Sequence, residues 1–104
     1  MIHVLAFASI KPGLRDKALD VYRVLAPKVL AKEPGCLEYS PTIDVDFGLP
    51  NQQLDPDMVV ITERWKSLDD FRAHVAGPAH VVEFRAAIKE YLEKTTLKIT
   101  QDVI

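Results

Sequence analysis

Ile2-His3-Val4-Leu5-Ala6-Phe7-Ala8-Ser9-Ile10 decides the architecture. The run is rich in β-formers and apolar at nearly every position, the pattern of a strand covered on both faces. Ile2, Val4, Ala6 and Ile10 share one parity, while Leu5 and Phe7 occupy the other. The run lacks a basic leader and a small-residue cleavage site, and it is far shorter than the roughly 20 residues that span a bilayer. It therefore reads as a strand, ended by Lys11-Pro12-Gly13.

Working outward, Leu14, Ala18, Val21, Tyr22, Leu25 and Val29 recur at a helical period that runs to about Glu33, where Pro34-Gly35 stops it. Pro27 falls inside, so a kink or loosened turn is expected there. Cys36 to Asp44 and Met58 to Trp65 read as the second and third strands. Between them Asp44 to Asp57, broken by Gly48, Pro50 and Pro56, is too long for a tight hairpin. Such a loop serves as a cover for a pocket mouth, an arm for a partner subunit or a plain surface excursion. Ser67-Leu68-Asp69-Asp70 has capping-box spacing and opens a short helix carrying Phe71 and Val75. Gly77-Pro78 breaks it, and Pro78 starts another helix bearing Val81, Phe84, Ile88, Tyr91 and Leu92. Thr95 to Ile104 alternates, with Leu97, Ile99 and Val103 on one face, and forms the fourth strand.

The order predicts one α+β domain spanning residues 1–104, a ferredoxin-like β-α-β-β-α-β unit with a four-stranded antiparallel sheet and its helices on one face. Helices cover only one side, so the second apolar face of the first strand calls for another copy of the sheet, and a homodimer is expected. Composition agrees with a globular chain: 48% of residues are hydrophobic and 27% charged. With 13 basic residues scattered among 15 acidic ones, no basic stripe exists to follow a nucleic acid, and no stretch calls for a membrane. The lone cysteine, Cys36, cannot close an intrachain disulfide, which points to the cytosol, and it reads as a small buried hydrophobe rather than a nucleophile.

Usable chemistry concentrates between Glu63 and His80. His80 lies in the first turn after Pro78 and four residues before Phe84, so it should face the core or a pocket within it. A helix N-terminus disfavours imidazolium and keeps such a ring available as a base. The competing reading is a buried histidine bonded to a backbone carbonyl. His74, three residues after Phe71, stands at the edge of an apolar stripe, while His3 reads as structural. Glu63 and Trp65 share one strand face. If helices cover that face, Glu63 needs a partner. There is no phosphate loop, nucleophile elbow or zinc-spaced ligand pair, and the spacing of Glu63, His74 and His80 matches no metal motif.

Three segments in order, Glu33-Pro34-Gly35-Cys36-Leu37-Glu38-Tyr39, Thr62 to His74 (TERWKSLDDFRAH) and Gly77-Pro78-Ala79-His80, resemble the antibiotic biosynthesis monooxygenase family across nearly the whole chain. The resemblance implies a ferredoxin-like domain that pairs into a dimeric α+β barrel. It also implies oxygenation, without a cofactor, of an electron-rich phenol, quinol, anthrone or polyketide-like aromatic by dioxygen. On that reading His80 or His74 is the base, Trp65, Phe71 and Phe84 form apolar walls with Glu63 on the same side, and Tyr39 bonds a substrate oxygen. Proteins of the haem-degrading branch carry an asparagine on the first strand and an iron-binding histidine in the last helix, where this chain has Ala6 and Phe84. The same fold hosts other activities, so two alternatives stand beside the monooxygenase. One is an isomerase or lyase acting on a small carbonyl or acidic substrate, and the other is a non-catalytic dimer that binds a small apolar ligand.

Overall fold

The computed structural model describes residues 1–104 and contains β1 (Ile2–Ile10), α1 (Arg15–Lys32), β2 (Cys36–Thr42), β3 (Met58–Trp65), α2 (Leu68–Ala76), α3 (Ala79–Ile88) and β4 (Leu92–Gln101). The strands form one antiparallel sheet in the order β2-β3-β1-β4. The helices lie against one face of it, giving the expected ferredoxin-like fold with the second helical segment split in two.

Burial along β1 alternates without exception: Ile2, Val4, Ala6, Ala8 and Ile10 are buried, and His3, Leu5, Phe7 and Ser9 are half-buried. Only one face is therefore covered within a single chain. On the bare face the register sets Leu5 beside Thr62 and Lys98, and Phe7 beside Val60 and Thr96. Phe7, Leu54, Met58 and Val60 line a shallow hollow there, rimmed by Asp44 and Asp55.

α1 buries Ala18, Tyr22, Leu25 and Val29, the stripe expected at spacings of four, three and four. The helix runs unbroken through Pro27. Pro27 is exposed, so the carbonyl it leaves without a backbone donor lies on the water side. At the end of α1 the chain passes directly beneath α2. A Cβ on Gly35 would lie 2.2 Å from Cγ of Asp70, so only glycine permits this approach. Asp70 is itself held by the cap of α2, where Ser67 Oγ accepts the Asp70 N–H at 3.2 Å. Gly35→Ala is expected to destabilise the fold by ~1–3 kcal/mol through overpacking, read as a lower urea midpoint.

Four boundaries differ from the sequence expectation. The second strand ends at Thr42 rather than Asp44, and Tyr91 and Leu92 leave the helix. α3 stops at Ile88, the Tyr91 N–H closes a turn on Ile88 O, and Tyr91 O accepts the Lys11 N–H at 2.8 Å. Leu92 then pairs with Ile10, so β4 starts three residues early and ends at Gln101 opposite Ile2. Val103, expected on a strand, lies beyond it and is 93% exposed. Leu97 and Ile99 do share the core-side parity of Ala6 and Val4. They remain 47% and 48% exposed at the sheet edge.

Candidate active site

Three chain segments meet at one carboxylate. Glu33 caps the C-terminus of α1, His74 sits in the last turn of α2, and His80 is the second residue of α3. His74 Nδ1 lies 3.0 and 2.9 Å from Glu33 Oε1 and Oε2. His80 Nε2 lies 2.7 Å from the same Oε2. All three side chains are buried. A carboxylate can only accept here, so each imidazole donates the N–H that faces it. Glu33 rather than Glu63 is thus the acidic partner of the histidines. Neither histidine takes up the simple reading of a ring bonded to a backbone carbonyl.

The other ring nitrogens point to different places. His74 lines a cavity of about 310 Å3 between the helices and the sheet, open at one side, together with Tyr22, Tyr39, Glu63, Phe71 and Phe84. Exposed Val75, Arg85, Thr95 and Leu97 form its mouth. His80 instead lines a groove of about 620 Å3 on the outer surface between α1 and α3. No fully buried side-chain nitrogen or oxygen lacks a partner. His74 Nε2 and the Tyr22 and Tyr39 hydroxyls make no hydrogen bond within the protein, so they open onto the cavity.

Each cavity group has a defined electrostatic character. Burial, reinforced by the negative charge of Glu63, drives the Tyr22 and Tyr39 hydroxyls well above the usual phenol range, so both remain protonated donors. Glu63 pairs across the ladder with Tyr39 and accepts the Trp65 indole N–H at 3.0 Å, which supplies the partner its burial demands. Desolvation raises its carboxyl to about 7 against the bond from Trp65, and the charge of Glu33 pushes the same way. Burial pushes the Cys36 thiol up to about 12, so it is inert at neutral pH.

Trp65 does not line this cavity. It is fully buried behind His74, with ring centroids 4.9 Å apart, and packs on Phe71 at 5.7 Å. The ring of Tyr39 lies 5.7 Å from His74 on another side. The aromatic residues thus fix the imidazole plane while the carboxylate fixes its proton. Sequence reasoning missed Glu33 and Tyr22 as site residues. Glu33 did carry a signal: an acidic side chain at a helix C-terminus opposes the dipole and needs donors from elsewhere.

The ionisation of Glu63 makes stability pH-dependent. Its folded-state affinity for the proton exceeds that of an exposed glutamate at 4.5, so its effect is to lower stability as pH rises from about 4.5 to 7, with no further change above. Glu63→Gln keeps an acceptor for Trp65 and is expected to match the parent near pH 5. Near pH 8 it should exceed the parent by up to roughly 3 kcal/mol in urea unfolding.

The family model for antibiotic biosynthesis monooxygenase matches residues 1–87. The chain is 33% identical over 103 residues to the Escherichia coli K12 protein named "Probable quinol monooxygenase YgiN", covering 97% of each. Among solved structures, one named antibiotic biosynthesis monooxygenase is 28% identical with a TM-score of 0.78, each chain covered in full. A Nitrosomonas europaea protein assigned to the same group superposes with a TM-score of 0.82 at 21% identity, again over the full length of both chains, which shows the shared fold. With the fold, the ordered sequence segments and these matches in agreement, the chain belongs to the antibiotic biosynthesis monooxygenase family.

Proposed function

We propose that the chain is a cofactor-independent monooxygenase that oxygenates a small, electron-rich aromatic such as a quinol or anthrone, with His74 as the base. The observation that carries this reading is His74 Nε2, open to a buried cavity, with Glu33 fixing the opposite nitrogen. A proton leaving the substrate goes to Nε2, and the carboxylate stabilises the imidazolium that forms. Tyr22 and Tyr39, held protonated by burial, donate to the substrate oxygen as charge develops on it. With substrate filling it, the largely apolar cavity limits water at the reacting centre while the substrate anion gives an electron to dioxygen and the two radicals combine. For an anthrone the balance closes without an external reductant: one oxygen atom enters the product as a carbonyl, and the other leaves as water with two substrate hydrogens. Phe71 and Phe84 supply apolar wall, and Glu63 sits opposite as a second polar group.

Turnover of dihydroxynaphthalenes and anthrones under 18O2 is expected to give a product carrying one labelled atom that is absent without protein. Rearranged product without label moves the protein to the isomerase or lyase reading, and tight binding without turnover moves it to the ligand-binding one.

The working unit in this proposal is a cytosolic homodimer. The half-buried Leu5, Phe7, Met58 and Val60 form an apolar centre on the bare sheet face, and the neighbouring loop exposes Val45, Phe47 and Leu49. Light scattering at micromolar concentration is expected to show twice the chain mass, reduced to one in Phe7→Glu. A parent monomer contradicts the pairing.

A further inference from the structure

We propose that the outer groove between α1 and α3 is a second ligand site, which takes an uncharged aromatic alcohol and holds its hydroxyl on His80 Nδ1. The site goes beyond the oxygenation reading and does not depend on it. Two helix faces of like spacing build the groove, Val21, Val24 and Leu25 from α1 and His80, Phe84 and Ala87 from α3. Its volume of about 620 Å3 suits a small molecule, and apolar walls around a few convergent polar groups are the usual make-up of such sites. Val24 stays 60% exposed there, and Ala87 is exposed too.

One buried polar atom breaks this apolar surface. His80 is 6% exposed, and its Nε2 is committed to Glu33 Oε2 at 2.7 Å. Its Nδ1 makes no hydrogen bond within the protein. Because no fully buried side-chain nitrogen lacks a partner, Nδ1 reaches the open space of the groove. In the tautomer whose hydrogen faces Glu33, Nδ1 keeps its lone pair and accepts, so the ligand must bring the donor.

The rim argues against a charged ligand. Its cations, Lys17 and Lys28, are matched by Asp20 and Glu83. Lys28 pairs with Glu83 at 3.7 Å, and Asp20 accepts from Arg23 at 2.7 Å. An uncharged donor on an apolar frame is a hydroxyl, and the rings of Phe84 and Tyr91 in the lining favour an aromatic frame. Leu25 and Phe84 line both this groove and the inner cavity and so separate the two. Val21, Val24 and Ala87 line the groove, whereas Ala6, Ile61 and Leu97 line the cavity. Their methyl groups therefore report which compartment is filled.

The test is an NMR titration of methyl-labelled protein with 2-naphthol, carried out without oxygen so that no turnover intervenes. Saturable shifts at Val21, Val24 and Ala87 are expected, with or without shifts at the cavity methyls. 2-Methoxynaphthalene keeps the apolar frame but has no hydrogen to donate. It is expected to bind the groove roughly 3–10-fold more weakly, the loss of one hydrogen bond. Ala87→Leu fills the groove from an exposed helical position that tolerates leucine, so it should abolish the groove shifts and leave those of the cavity in place. Shifts confined to the cavity methyls, or no saturable shift up to the solubility limit of 2-naphthol, overturn the site. Equal affinity for the methyl ether, or groove shifts that survive in Ala87→Leu, overturn it as well.

Discussion

His74→Gln is expected to lower turnover by about 10²–10⁴-fold, the range associated with a positioned general base. The substitution is chosen to isolate chemistry from architecture. Glutamine can still donate to Glu33 and occupies much of the ring's volume, so the contacts with Trp65 and Phe71 are only partly lost. Substrate affinity should change much less than turnover, because the proton moves in the transition state while the cavity walls are set by other residues. Steady-state rates on an oxygen electrode, with folding checked by circular dichroism, read the result. A variant that keeps its rate shows that the open Nε2 has no chemical role. A matching loss in both rate constant and affinity with a disturbed spectrum indicates a structural one.

Trp65→Ala is expected to cost ~3–5 kcal/mol, the range for deleting a large aromatic side chain from a packed core. Its side chain is fully buried, and it joins the sheet to α2 by stacking against Phe71 and His74. It also donates the hydrogen bond that satisfies Glu63. Truncation therefore opens a cavity and strips a buried carboxyl of its partner at once. Against an ordinary domain stability of ~5–15 kcal/mol this is a large share, and a urea midpoint far below the parent's is the expected reading. Trp65→Phe retains most of the volume but not the donor, so it should cost ~1–3 kcal/mol, chiefly at high pH where Glu63 is ionised. Equal losses for the two variants would mean that the indole N–H, not the packing, carries the effect.

The fold was readable because its strongest elements announce themselves locally. β1 carries its alternation in its own residues, and Ser67 with Asp70 marks the start of α2 independently of anything distant. The end of α3 did not follow from the sequence in the same way. Tyr91 and Leu92 continue the helical spacing of Ile88, and only the need of Ile10 and Lys11 for partners draws them into the sheet. The second apolar face of β1 stays half-buried at Leu5 and Phe7 in one chain, as expected of a face that the helices do not cover.

The site was half legible for a related reason. His74 and His80 stood out as titratable groups beside aromatic residues in a short stretch. The carboxylate that organises them lies 41 and 47 residues away in sequence, and no spacing rule links a helix C-cap to the ends of two later helices. Tyr22 reads from sequence as one more member of an amphipathic stripe. Its role becomes visible only once its hydroxyl is seen to open onto the same cavity as His74.

The most direct test of the central claim is oxygen uptake by chelator-treated protein with a panel of hydroquinones, dihydroxynaphthalenes and anthrones, corrected for their autoxidation. The account predicts protein-dependent uptake with at least one of them, largely lost in His74→Gln. No uptake above autoxidation across the panel, or uptake indifferent to His74→Gln, would contradict it.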